Sequence, residues 1–223
     1  MRIAAILLAL ALAACASGPD PRDRYARLLT PVANPSKVVA AELAFARAAQ
    51  EKGQWTAFRQ FATEDAVMFV PEPVNAQEWL RKQADPAQAV AWQPHEVWSS
   101  CDGSLAVTRG AWQRPGGTFG YFTTVWQRDS KTGEYRWVMD QGDALTTPLI
   151  EPEFIATTIA SCEGAPSPLL FPLADGSASF SGRSRDATLD WRVAVLPDKS
   201  RVVTLSYWDG RAWQSPVRVL VKP

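Results

Sequence analysis

The chain has 223 residues, of which 47% are hydrophobic and 21% charged, and its formal net charge at pH 7 is zero. This length is enough for one large or two small globular domains. The balanced charge argues against the basic composition typical of proteins that bind nucleic acid or anionic membrane surfaces. The 10 tryptophans predict a large buried aromatic area or a pocket lined with rings.

The N-terminal segment predicts export from the cytoplasm. Arg2 precedes an unbroken apolar run, Ile3–Ala14. As a helix this run would be about 18 Å long, which is too short to span a bilayer. It fits the hydrophobic region of a signal peptide instead. An ordinary signal peptide cut at a small-residue site such as Ala11-Leu12-Ala13 is one interpretation, and it leaves Cys15 unmodified.

The residues around Cys15 favour a second interpretation, a lipid anchor. Leu12-Ala13-Ala14-Cys15 resembles the lipobox of bacterial lipoproteins. That resemblance implies a signal peptide over residues 1–14, cleavage before Cys15 and a lipid on this cysteine. An Asp after the lipidated cysteine marks retention in the inner membrane, whereas this chain has Ala16 and Ser17. The resemblance therefore implies the outer membrane, facing the periplasm, with residues 15–36 as a Pro-punctuated tether.

Two further cysteines, Cys101 and Cys162, remain if Cys15 is acylated. An even pair in an oxidising compartment predicts a disulfide. Two separate buried thiols are the alternative.

Three helices and a first strand are predicted in the N-terminal half. Apolar residues at helical spacing, with Ser36 as the N-cap, predict the first helix, and Gly53 ends it. The predicted helices are Lys37–Lys52, Gln54–Phe61 and Ala76–Gln83, and the short strand Ala66–Val70 precedes the third.

Four longer strands follow, and short turns join them into an antiparallel meander. They are predicted at Val90–Trp98, Leu105–Gln113, Thr118–Arg128 and Glu134–Gly142. Pro94 cannot donate to a ladder, which predicts a sheet edge or a bulge at that position. Helices followed by a bent sheet indicate an α+β fold.

The stretch Glu42–Asp143 resembles the SnoaL-like, nuclear transport factor 2-like superfamily. The matching segments are the helix Ala40–Phe45, the strand entry Thr63–Val67, the strand Gly120–Trp126 and the closing strand Tyr135–Gly142. The resemblance implies a cone-shaped domain over residues 37–147, in which three helices cover a curved antiparallel sheet around a pocket. Members of this superfamily often dimerise through the sheet, which makes a homodimer a further expectation.

The remaining chain predicts a linker and a small β appendage. Residues 148–175 are rich in Pro, Ser and Thr, and one short helix is expected at Glu153–Ser161. Residues 176–223 predict an antiparallel meander that is too small to be stable alone and therefore packs on the first domain. Its strands are expected at Ser177–Phe180, Asp190–Leu196, Arg201–Trp208 and Trp213–Val221.

No motif in the sequence fixes a reaction. His95 is the single histidine, so a zinc site lacks ligands, and nucleotide-binding loops are absent. We expect neither a metal nor a cofactor. The catalytic candidates are Asp140, which burial in a concave sheet would make an acid or base, together with Tyr121 or His95. The alternative is a structural role for Asp140, either in an ion pair with Arg109 or Arg136 or as the cap of a strand end.

A pocket, if present, is expected to be aromatic. Its candidate lining residues are Trp92, Arg109, Tyr121, Trp126 and Trp137, although the tryptophans would equally serve as core. The sequence thus favours an envelope protein that binds a small apolar or amphipathic ligand, or acts as a scaffold, without catalysis. An isomerase or hydrolase using a pocket carboxylate and a sheet-mediated interaction module are the alternatives.

Overall fold

The computed structural model describes residues 33–164, 166–169 and 175–223. The expected signal peptide, Cys15 and most of the tether lie outside the described residues. The described helices are α1 Pro35–Lys52, α2 Gln54–Phe61 and α3 Ala76–Leu80. The strands are β1 Ala62–Phe69, β2 Pro73–Asn75, β3 Ala91–Ser99, β4 Leu105–Gln113, β5 Phe119–Arg128, β6 Tyr135–Ala144, β7 Ala156–Ile159, β8 Ala178–Arg183, β9 Leu189–Val195, β10 Arg201–Trp208 and β11 Trp213–Val221. None of the described helices is long and apolar enough to cross a membrane.

The first sheet has seven strands in the order β2-β1-β6-β5-β4-β3-β7. The predicted meander β3 to β6 forms its centre. The expectation of a purely antiparallel sheet is wrong, because β1 pairs parallel to β6 and β7 pairs parallel to β3. An irregularity between Pro94 and Glu96 confirms the predicted bulge in β3. The fold is therefore α+β with a mixed sheet.

The two faces of the central strand β5 have different neighbours. Phe122, Thr124 and Trp126 alternate toward the helices, while Val125 points to the opposite face and packs against the second sheet. The partner strand β6 contains a bulge, since Val125 pairs with Met139 but Trp126 pairs with Trp137. The bulge changes the side-chain alternation along β6.

This bulge determines the face on which Asp140 lies. In a strand without a bulge, alternation would place Asp140 on one face with Arg136 and Val138. In the structure Asp140 pairs with Thr124, and Trp137 pairs with Trp126, so Asp140 and Trp137 both lie on the helix-facing side.

Helix α1 begins two residues earlier than predicted, at Pro35, and uses a different N-cap. Pro35 occupies the first turn and Asn34 is the cap, so Ser36 lies inside the helix. The buried stripe of α1 consists of Val38, Glu42, Phe45, Ala48 and Ala49. A carboxylate therefore lies in the middle of the buried face.

The segment between the sheets contains a strand where a helix was predicted. The predicted helix Glu153–Ser161 is wrong, because residues Ala156–Ile159 form β7 against the edge of β3. The predicted disulfide is confirmed, with the Cα atoms of Cys101 and Cys162 5.3 Å apart. Its neighbour Ser161 donates its backbone N–H to the carbonyl oxygen of Trp208 at 2.8 Å, which joins this segment to the second sheet.

The second sheet has the order β11-β10-β9-β8 and confirms the predicted C-terminal meander. Its apolar face packs on the outer face of the first sheet. Val107, Val125 and Met139 of the first sheet share one buried cluster with Val193 and Leu205 of the second. The first sheet is therefore buried on both sides, by helices on one face and by the second sheet on the other.

Candidate functional site

A cavity of about 310 Å³ lies between the helices and the inner face of the first sheet. Its wall is mainly aromatic and aliphatic, with Phe45, Trp55, Phe58, Met68, Phe69, Val70, Val90, Trp92, Trp112 and Phe122 as the large apolar members. Its volume is at the lower end of the range for small-molecule sites. The exposed residues Arg114 and Ala144 also line it, which places its mouth at the β4–β5 turn and the end of β6.

Asp140 is the acidic side chain that faces this cavity. It lies deep in the protein, yet part of the residue is accessible because it lines the cavity wall. Thr124 Oγ1 donates a hydrogen bond to Asp140 Oδ2 at 2.7 Å. Burial raises the pKa of Asp140 to about 7, the Thr124 hydrogen bond opposes this, and the nearby charge of Glu42 adds to it. A carboxyl group with this pKa can donate or accept a proton near neutral pH.

Glu42 is a second buried carboxyl group, and it lies between helix α1 and the first sheet, behind the cavity wall. Its Oε1 accepts a hydrogen bond from Trp92 Nε1 at 2.7 Å. Its Oε2 accepts from Trp126 Nε1 at 3.0 Å and from Thr108 Oγ1 at 2.5 Å. Burial raises the pKa of Glu42, and these hydrogen bonds oppose the rise. An indole N–H can only donate, so each carboxyl oxygen of Glu42 accepts from one indole.

Two of the predicted catalytic partners lie away from the cavity. Tyr121 points to the opposite face of β5 from Phe122 and Thr124, and the guanidinium of Arg109 lies 5.3 Å from its ring centroid. His95 is buried at the irregular part of β3, and burial lowers its pKa. The structure therefore does not bring Tyr121 or His95 to Asp140.

Most of the residues predicted to line the pocket lie elsewhere in the structure. Of the five candidates, Trp92 lines the cavity. Trp126 and Trp137 are fully buried core residues under the helices. Arg109 forms an ion pair with Glu96 at 3.6 Å, and Arg136 Nη1 donates to the carbonyl oxygen of Gln60 at 3.3 Å. The alternative prediction, an ion pair of Asp140 with either arginine, is therefore wrong.

Glu42, Thr124 and the residues at the cavity mouth are not among the site residues predicted from the sequence. Glu42 was detectable as an acidic residue four positions after Val38 and three before Phe45, both on the buried stripe. Thr124 was detectable only through the register that pairs it with Asp140.

Within the described ranges, no three His, Cys, Asp or Glu residues lie close enough together to hold a metal ion.

No protein-family model matches this chain, and no curated protein matches it. Solved structures with a similar fold include a nuclear transport factor 2-like protein of unknown function from Shewanella oneidensis. It is 18% identical with a TM-score of 0.39, and the match covers 48% of this chain and 97% of that one. A protein provisionally named an aromatic ring hydroxylase, from Novosphingobium aromaticivorans, is 15% identical with a TM-score of 0.36, covering 51% and 91% of the two chains.

A third similar structure is provisionally named a calcium/calmodulin-dependent kinase II association domain, from Exiguobacterium sibiricum. It is 14% identical with a TM-score of 0.37, and the match covers 51% of this chain and 96% of that one. At such low identities and TM-scores, the likeness says nothing about the activity of this chain.

The raised pKa of Asp140 predicts a specific dependence of stability on pH. Since the pKa is about 7 in the folded state and about 3.9 in an unfolded chain, the folded protein binds more protons between these values. Its stability therefore falls as pH rises through this window. Asp140→Asn cannot ionise, so its stability relative to the parent should increase by up to about 4 kcal/mol from pH 4 to pH 7.

Urea unfolding of both proteins across this pH range measures the difference. Asp65→Asn, at an exposed position of β1, gives the baseline for removing one carboxylate. A difference between Asp140→Asn and the parent that stays constant with pH would contradict the raised pKa.

Proposed function

We propose that the cone cavity binds a small, mainly apolar molecule that forms one hydrogen bond with Asp140. The observation that carries this proposal is an aromatic-walled cavity of about 310 Å³ with a buried carboxyl group on its wall. An apolar wall supplies affinity through burial, and a single polar group fixes the orientation of the ligand. Near neutral pH, Asp140 can act as either donor or acceptor.

Blocking the mouth of the cavity tests this proposal. The exposed residue Ala144 lies at the end of β6 and lines the cavity, so Ala144→Trp should obstruct entry. We expect 2-naphthol to bind the parent with one-to-one stoichiometry in isothermal titration calorimetry and Ala144→Trp to bind it roughly tenfold more weakly. Ala178→Trp, at an exposed position of β8, is the matched control. Equal affinity of parent and Ala144→Trp would place the probe elsewhere.

A second candidate function is proton transfer to or from the bound molecule, as in an isomerase. The pKa of Asp140 near 7 favours it, because a general base works best with a pKa close to the operating pH. The carboxylate would take a proton from carbon next to a carbonyl, the C–H electrons would form an enolate, and the acid would return a proton. Since neither Tyr121 nor His95 lies in the cavity, this role would rest on Asp140 alone.

Exchange of carbon-bound protons for deuterium measures this activity. We expect the parent to accelerate exchange at C1 of 2-tetralone in D2O, followed by NMR, with a rate that increases as Asp140 ionises. Asp140→Asn should reduce the rate to that of buffer, because it cannot accept the proton. Ala178→Trp should exchange like the parent. An undiminished rate in Asp140→Asn would refute the catalytic candidate and leave the binding proposal in place.

We also propose that Cys15 carries a lipid that anchors the chain to the outer membrane, facing the periplasm. The support is the lipobox-like sequence Leu12-Ala13-Ala14-Cys15. In a Gram-negative host, Cys15→Ala should release the chain from membranes, and Ala16→Asp should move it from the outer to the inner membrane fraction. Membrane association that survives Cys15→Ala would contradict the proposal.

A homodimer remains a prediction. The apolar outer face of the central strands is buried by the second sheet, so dimerisation would have to use another surface.

A further inference from the structure

The cavity mouth contains a tryptophan that lies flat on the sheet. A Cβ atom on Gly120 would overlap the Trp112 ring, and one on Gly142 would lie 3.3 Å from Trp112 Nε1. These two glycines therefore leave the space that the ring occupies. Trp112 Nε1 donates a hydrogen bond to the carbonyl oxygen of Tyr121 at 2.9 Å, which fixes the orientation of the ring. Trp112 is thus positioned before any ligand arrives.

Arg114 lies over this ring, with its guanidinium carbon 5.2 Å from the ring centroid. Because the sheet backbone occupies one side of the ring, the guanidinium uses the other. The backbone of Arg114 is held as well, since its N–H donates to the carbonyl oxygen of Thr118 at 2.7 Å and its carbonyl oxygen accepts from Gly117 N–H at 3.1 Å. The indole and the turn together restrict where the guanidinium can point.

The guanidinium of Arg114 is available to a ligand. Within the part of the chain that the structure describes, no carboxylate lies within ion-pair distance of it, and no side-chain hydrogen bond uses its N–H groups. An arginine at the rim of an apolar cavity can therefore donate two parallel hydrogen bonds to a carboxylate.

The other acidic residue near the mouth does not oppose this arrangement. Asp143 contributes to the cavity lining, but on β6 its side chain alternates to the opposite face from Asp140. Its charge affects the pKa values of Tyr121 and Arg201, which lie on that opposite side. Arg114 therefore supplies the positive charge at the mouth, while Asp140 lies deeper.

We propose that the cavity selects compact aromatic or alicyclic carboxylates, with the apolar body inside and the carboxylate at the rim on Arg114. This inference rests on the proposed ligand-binding function and names the ligand class of the same site. It explains why the charged side chain of Arg114, which has no carboxylate partner among the described residues, is held at the entrance of a mainly apolar cavity. A ligand with these two parts would be amphipathic.

Two isosteric probes test the inference with the full chain. 2-Naphthoate carries the carboxylate, and 2-naphthamide has the same shape without charge. By isothermal titration calorimetry we expect the parent to bind naphthoate about tenfold more tightly than naphthamide. Arg114→Gln should abolish this preference by weakening naphthoate alone, whereas Arg114→Lys should keep part of it. Arg218→Gln, at an exposed position of β11, removes the same charge far from the contacts described and should keep the full preference.

The outcomes separate this inference from the function on which it rests. If the parent binds both probes equally, or if Arg114→Gln keeps the preference, the carboxylate inference is overturned and the cavity proposal stands. If Arg218→Gln loses the preference as Arg114→Gln does, net charge is the cause, and the inference is again overturned. If the parent binds 2-naphthol but neither of these probes, the carboxylate inference is overturned and the cavity proposal stands. If it binds none of the three, both fail. Circular dichroism and the unchanged affinity for naphthamide show that Arg114→Gln is folded.

Discussion

The packing between the helices and the first sheet depends on the buried carboxyl group of Glu42. Three donors from three different strands converge on its two oxygens: Trp92 on β3, Thr108 on β4 and Trp126 on β5. Each of these polar groups would be costly to bury without a partner. Glu42 satisfies all three at once and connects helix α1 to the three central strands. The large rings that form the core and the cavity wall can therefore be packed without unpaired indole N–H groups at Trp92 and Trp126.

The same arrangement determines the chemistry of the cavity. Burying aromatic rings around Asp140 removes the water that would stabilise its charge, and the buried Glu42 adds a second negative centre nearby. Thr124 opposes both effects with one hydrogen bond. Desolvation is the largest contribution, so the pKa moves up and not down. The raised pKa of Asp140 is thus mainly a consequence of its burial, to which the charge of Glu42 adds a smaller contribution.

Most helices and strands could be predicted from the sequence. The errors occurred where contacts between residues far apart in the chain determine the structure. Helix α2 and strands β4, β10 and β11 match their predicted bounds because turn residues delimit them locally. Within α1, the apolar Leu43 is 45% exposed whereas the acidic Glu42 is buried, because the strands supply donors to Glu42 that helical periodicity cannot reveal. Strand β7 exists because β3 offers a free edge, and the face of Asp140 depends on a bulge in β6. Asp140 was therefore identified by residue type, but its partners were not.

Strand β6 links the two halves of the described structure. Its inner face carries Asp140, and its outer face carries Met139, which packs against the second sheet. Arg201 on β10 donates a hydrogen bond from Nη2 to the carbonyl oxygen of Gly142 at 3.1 Å, two residues from Asp140 and at the glycine that leaves room for Trp112. The backbone that positions both the acid and the ring at the mouth is thus supported from behind. The second sheet therefore acts as the structural support of the cavity wall, even though its side chains do not enter the cavity lining.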